Sequence, residues 1–129
     1  MGEPTQDDAH LLIELAQLGS QMVDPKVRGW IWGDDFVADP DEFFNKYPPG
    51  TDEFTMVSGL AAWHETVATL WKRGLVNEEL LFDWLWVEGT WDKLKPILLA
   101  MREQSGTPQL WANFEAMAEA QVAAAAAPA

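Results

Sequence analysis

Residues 51–74 read TDEFTMVSGLAAWHETVATLWKRG, and this stretch decides the fold class because it has the pattern of a long, packed helix. Apolar side chains recur at alternating spacings of four and three residues, at Met56, Leu60, Trp63, Val67 and Leu70. Such a stripe lies on one face of an α-helix and is buried against other elements. Thr51 suits the N-cap, and Gly74 suits the position just after the helix. We therefore predict a helix from Thr51 to Arg73.

The same helical period recurs along the rest of the chain, between glycine and proline residues. Leu11, Leu15 and Leu18 indicate a first helix that ends before Pro25. Further helices are predicted to begin at four capping residues, Asp39, Asn77, Thr90 and Thr107. No segment has the alternating pattern of a β-strand. The sequence therefore predicts an all-α fold, an irregular or orthogonal bundle of five to six helices.

The size of the chain, 129 residues and 14.5 kDa, is that of one domain. We predict a single helical domain over residues 1–129. Its ends are expected to be a flexible N-terminus at residues 1–6 and an Ala-rich tail at residues 121–129, which has no apolar stripe with which to dock.

The charge of the chain limits its partners. It has 21 acidic and 8 basic residues, a net charge of −13, which repels phosphate backbones and anionic lipid surfaces. We expect no nucleic-acid partner and no membrane insertion, and basic proteins are candidate partners of the acidic first half.

The chain has no cysteine, which excludes disulfides and thiolate metal sites, and its first residues lack the pattern of a secretory signal. These features predict a soluble, cytoplasmic protein.

Residues with reactive side chains are few, and none forms a recognisable catalytic motif. His10 and Glu14 share a helix face, but one such pair supplies only two ligands of a metal site. His64 lies beside the apolar stripe, where we expect a boundary residue with one hydrogen bond. The acidic residues between 34 and 42 lack the spacing of a calcium-binding loop, so capping and solvation explain them better. We expect no cofactor, no metal and no enzymatic activity.

Residues 80–87 read LLFDWLWV and form the strongest candidate for a binding surface. In a helix this segment is apolar all round, with Asp83 as its one charge. Such a helix is either central in its fold or half covered by a partner, and the sequence leaves both readings open. The interface candidates are Phe82, Trp86, Leu81 and Leu85.

The aromatic segment at residues 30–47 is a second candidate. Its rings either fold over one end of the bundle as a cap, which we favour, or line a pocket for a small aromatic or apolar ligand. The pocket candidates are Trp30, Trp32 and Phe36.

The last two predicted helices supply a candidate ion pair. Arg102 and Glu115 follow the stripe residues Met101 and Phe114, on helices joined by a short turn and therefore predicted to be antiparallel neighbours. We expect Arg102 and Glu115 to meet across that seam. Trp91 and Trp111 are expected to be buried anchors between the same two helices.

Three motifs in the second half of the chain point to a family. They comprise Gly74, Leu75, Asn77, Glu78 and Leu80, then Trp91, Leu94, Pro96 and Arg102, then Pro108, Trp111, Phe114 and Glu115. In this order and spacing, residues 63–118 resemble a family of bacterial all-helical proteins known only as a domain of unknown function. The resemblance implies an all-helical fold and brings no activity.

These observations favour a binding function over catalysis. We predict a non-enzymatic helical interaction module that self-associates or forms a subunit of a larger assembly, so that its partner is another protein or a second copy. The alternative is a binding protein for a small aromatic or apolar ligand, using the Trp-rich segment 30–47.

Overall fold

α-Helices make up all the regular structure of residues 2–127, the part of the chain that this computed structural model describes. The seven helices of that part are α1 (Gln6–Met22), α2 (Val27–Ile31), α3 (Pro40–Lys46), α4 (Asp52–Lys72), α5 (Glu78–Trp84), α6 (Val87–Ser105) and α7 (Ala112–Ala126). The all-α bundle is confirmed. One helix more than expected is present, because the irregular stretch before residue 39 contains the short α2.

The helix α4 lies at the centre of the bundle. Its N-cap is Thr51, whose hydroxyl accepts a hydrogen bond from the amide of Phe54, and Gly74 follows its end with a φ of +73°. α7 packs along α4 and α6, while α1 and α2 also pack on α4. Because α4 has neighbours on several sides, its buried face is wider than one stripe. It contains Val57, Leu60, Ala61, Trp63, His64, Val67 and Ala68.

Side-chain capping sets the starts of three of the six other helices, α1, α3 and α5. Asp39 and Asn77 cap α3 and α5 as predicted, each through a side-chain oxygen that accepts a backbone hydrogen bond. Thr5 caps α1 in a reciprocal pair with Asp8. The segment before α1 is also held by the carbonyl of Gly2, which accepts a hydrogen bond of 3.0 Å from the Asn77 amide. The N-terminal segment thus contacts the bundle at Gly2, and Met1 lies outside the described residues.

The predicted continuous helix over residues 80–87 is wrong. α5 ends at Trp84, Leu85 is its C-cap, and Trp86 is the N-cap of α6. The break is held by the side chain of Gln121, which donates to the Leu85 carbonyl and accepts from the Glu88 amide, both at 2.8 Å. α6 therefore begins before the predicted cap at Thr90, and Gly89 and Pro96 lie inside it.

The predicted helix start at Thr107–Pro108 is also wrong, because these residues form a turn. α7 begins later, after Trp111, which has a left-handed φ of +63°. Trp91 is buried as predicted, whereas Trp111 is only half-buried at this turn. The Ala-rich end of α7 continues the helix to Ala126, with Gln121 buried; residues 128–129 of the predicted tail lie outside the described range.

Candidate functional site

The rings of the aromatic segment 30–47 make two separate sets of contacts, one around Trp30 and one at Trp32. Trp30 contacts Phe36 and Tyr47 edge to face, at centroid distances of 5.0 and 5.6 Å, and lies 6.4 Å from the fully buried Phe43. These rings pack against one another and against the core, as the cap interpretation expects. Among the described residues, Trp32 makes its ring contact with Trp86 and not with Trp30 or Phe36.

Trp32 stacks on Trp86, which brings the two sequence candidates together. The ring centroids are 5.6 Å apart and the planes differ by 13°. Both side chains are exposed, at 49% for Trp32 and 60% for Trp86. The ammonium group of Lys93 lies 5.6 Å from the Trp32 ring and 5.5 Å from Phe36, a distance at which a cation and an aromatic ring attract.

Trp86 is held in place despite its exposure. Its ring lies directly on the backbone of α6 at Gly89, where an added Cβ would come within 2.3 Å of the indole. Only glycine leaves room for this approach. The indole is therefore packed between the helix backbone and Trp32.

A groove of about 720 Å³ runs beside Trp86, between α5 and the end of α7. Its lining comprises Pro4, Glu78, Glu79, Leu80, Phe82, Asp83, Trp86, Glu88, Gln121, Ala124 and Ala125. The groove therefore combines an apolar surface with acidic side chains. Glu78 is already engaged, because its carboxylate accepts a hydrogen bond of 2.9 Å from the indole of Trp71.

The four interface candidates differ in how far their side chains are buried. Leu81 is fully buried, so it belongs to the core and not to an exposed face. Phe82 and Leu85 are half-buried, and only Trp86 is largely exposed. The reason is the break at Leu85, which turns Trp86 away from the face that α5 buries.

His64 is fully buried instead of lying at a boundary. Its Nδ1 is 2.9 Å from the Leu60 carbonyl, so Nδ1 carries the proton, and Nε2 is buried without a partner among the described residues. Burial lowers the pKa of His64 from 6.5 to about 4, with a smaller lowering by the positive charge of Arg28 and an opposing effect of the Leu60 hydrogen bond. The imidazole is thus a neutral core residue.

The other candidate metal ligands do not form a cluster in the part of the chain that the structure describes. His10 and Glu14 are exposed on α1. Within residues 2–127 no three His, Asp or Glu side chains gather in a way that could hold a metal ion.

Arg102 and Glu115 meet as the sequence predicts. Nη1 of Arg102 donates to Oε1 of Glu115 at 3.1 Å, and the side chains are 20% and 29% exposed. The contact between the guanidinium and the carboxylate is not bidentate. Its Nε donates instead to the Leu110 carbonyl at 2.8 Å, which braces the turn before α7.

Comparison with known proteins extends the family region. The sequence model of a family described as "Domain of unknown function (DUF4760)" matches residues 32–121. This span includes Trp32, Trp86 and Gln121. No curated protein and no solved structure matches the chain. None of the helices in residues 2–127 is both long and apolar enough to cross a membrane.

Proposed function

The chain belongs to the DUF4760 family, whose function is unknown, and we propose that it is a non-enzymatic protein-interaction module. Its partner binds at the exposed face of Trp86 and in the adjoining groove between α5 and α7, named here the Trp86 groove. The partner presents a basic, apolar segment of chain. The proposal also keeps the cytoplasm as the protein's location, because the chain has no cysteine.

The observation that carries the proposal is that Trp86 is exposed although its ring is packed on Gly89 and stacked on Trp32. A tryptophan with 60% of its surface in water forgoes most of the free energy that burial would supply. Tryptophan is enriched among the few residues that dominate binding energy at protein interfaces. Since Gly89 and Trp32 already fix the ring, a partner loses little conformational entropy by covering it.

The charge of the groove supports a basic partner. Glu79, Asp83 and Glu88 line the groove beside the apolar ring of Phe82, on a chain with a net charge of −13. Such a field attracts basic segments and accelerates their encounter. A second copy brings a further −13, so self-association through this groove is less favoured.

The small-ligand alternative at residues 30–47 has less support. Trp30 and Phe36 are engaged with each other and with Tyr47, while Trp32 faces Trp86. A groove of about 490 Å³ is lined by Trp30 and Tyr47, but its lining lacks Trp32 and Phe36 and is mostly charged, with Lys26, Asp35, Lys46 and Glu53, which suits an apolar ligand poorly.

The test is calorimetric titration of the full chain with two synthetic amphipathic helices, one of leucine and lysine and one of leucine and glutamate. We expect the lysine peptide to bind and the glutamate peptide not to bind. Trp86→Ala should weaken binding by about ten-fold or more, as for interface hot spots. The pair Asp83→Asn and Glu88→Gln should weaken it comparably and reduce its salt dependence.

The matched control removes the same charge elsewhere, through Asp41→Asn with Glu42→Gln in the first turn of α3. This variant should bind the lysine peptide as the parent does. Equal binding of the two peptides, or parental affinity in Trp86→Ala, would overturn the proposal. Sedimentation that shows a dimer, lost in Trp86→Ala, would assign the groove to a second copy instead.

A further inference from the structure

A second groove, of about 650 Å³, lies on the other side of the end of α5. Its lining comprises Ala16, Gly19, Ser20, Val23, Pro25, Arg28, Trp63, Trp84 and Leu85. These residues come from the end of α1, from α2, from α4 and from the α5–α6 break. A volume of this size lies within the range of small-molecule sites, about 300–1,000 Å³.

Two indole rings form a rigid corner in this groove. Trp63 and Trp84 meet at 89°, with centroids 5.8 Å apart. Trp63 is fixed by the hydrogen bond from its Nε1 to the Leu15 carbonyl, at 2.9 Å. Its ring packs closely on Gly19, where an added Cβ would stand 3.1 Å away. Trp84 is 39% exposed, so its ring remains open to a ligand.

The charge of this groove is opposite to that of the protein. Arg28 is the one charged side chain among the described residues that line it. The Arg28 guanidinium lies 5.8 Å from the centre of the Trp63 ring and is exposed. No carboxylate in residues 2–127 lies within ion-pair distance of it. Its planar fork of donors is therefore free to hold a carboxylate at the edge of an apolar surface.

We propose that this groove binds a small monocarboxylate with an apolar body. The carboxylate is held by Arg28, and the apolar body lies against Trp84 and Leu85, over Trp63, which is 2% exposed and forms the floor of the groove. This site is separate from the Trp86 groove and does not depend on the interaction function proposed above. Charge complementarity selects the anion, since the remaining lining residues are neutral and mostly apolar.

The test uses octanoate as the probe, with octan-1-ol as the neutral molecule of the same length. Binding to the full chain is followed by the NMR signals of the tryptophan indole N–H groups. We expect octanoate to shift the Trp84 signal and to bind at least about ten-fold more tightly than octanol. Arg28→Gln should remove this preference while leaving octanol binding unchanged.

Two further variants test whether octanoate binds in this groove and through Arg28. Arg73→Gln removes an exposed arginine that does not line the groove, and it should keep the preference for octanoate. Trp84→Ala should weaken octanoate and octanol alike. Equal affinities for the two probes, or an unchanged preference in Arg28→Gln, would overturn the proposal, as would octanoate shifts confined to tryptophans outside the groove.

Discussion

The imidazole of His64 stacks on the phenyl ring of Phe114, with 4.6 Å between the centroids and 15° between the planes. His64 belongs to α4 and Phe114 to α7, so the stack lies in the seam between these two helices. Trp63 and Trp91 make edge-to-face contacts with the same pair, Trp63 with His64 and Trp91 with Phe114. A titratable group therefore sits among aromatic rings in the core.

The buried imidazole predicts a loss of stability in mild acid. The folded-state pKa of about 4 is lower than the unfolded value of 6.5, so the unfolded chain takes up this proton first. The contribution is fully present above pH 6.5 and is lost as the pH falls to 4, by about 3 kcal/mol. Chemical denaturation of His64→Leu should show a pH dependence smaller by that amount.

The control for this prediction is His10→Gln, which changes an exposed histidine. It should unfold with the same pH dependence as the parent between pH 6.5 and 4. A parental profile in His64→Leu would mean that the loss of stability in acid comes from other groups.

A double-mutant cycle should detect the pair of Arg102 and Glu115. Because both side chains are mostly buried, we expect a coupling energy of about 1 kcal/mol between Arg102→Met and Glu115→Gln. Arg102→Met alone should cost more than Glu115→Gln, because it also leaves the Leu110 carbonyl without its donor. Urea denaturation of the four proteins measures both quantities, and strictly additive losses would contradict the contact.

The two tryptophans of the α6–α7 seam should differ in their effect on stability. Trp91 is 4% exposed and packs on Phe114, so Trp91→Ala should cost about 3–5 kcal/mol. Trp111 is half-buried at the turn, and Trp111→Ala should cost less. Equal losses in thermal denaturation would show that the turn anchors the seam as strongly as the core does.

Gly89→Ala should disrupt the Trp32–Trp86 stack without lowering the stability of the whole fold. The added Cβ displaces the Trp86 ring, while alanine favours the helix by up to about 1 kcal/mol. We expect little change in unfolding free energy and loss of the exciton-coupled circular dichroism of stacked indoles. Gly29→Ala, where an added Cβ meets nothing within 4 Å, is the control and should keep the signal.

The elements that sequence reasoning found are those with local causes. The caps at Thr51, Asp39 and Asn77 bond to amides three residues away, so the pattern contains the whole interaction. The pair of Arg102 and Glu115 could also be predicted, because one short turn sets the helices side by side.

The elements that it missed depend on distant residues. The break between α5 and α6 is held by Gln121, more than thirty residues along the chain from the groups that it bonds. The burial of His64 comes from α7, which covers a side of α4 outside the expected stripe. The groove around Arg28 combines segments that are far apart in the chain, and no single motif marks it.

The hydrogen bonds of Gln121 link the presentation of Trp86 to the docking of the C-terminal helix. The break that exposes Trp86 is held by a side chain near the end of α7, so we expect the exposure of Trp86 and the docking of α7 to be coupled. Such coupling is reciprocal. If the docking of α7 strengthens the binding of a partner at Trp86, then the bound partner stabilises the docked α7 by the same free energy. Slower amide hydrogen exchange across Ala118–Gln121 is the expected signature of an occupied Trp86 groove, at a distance from the contact itself.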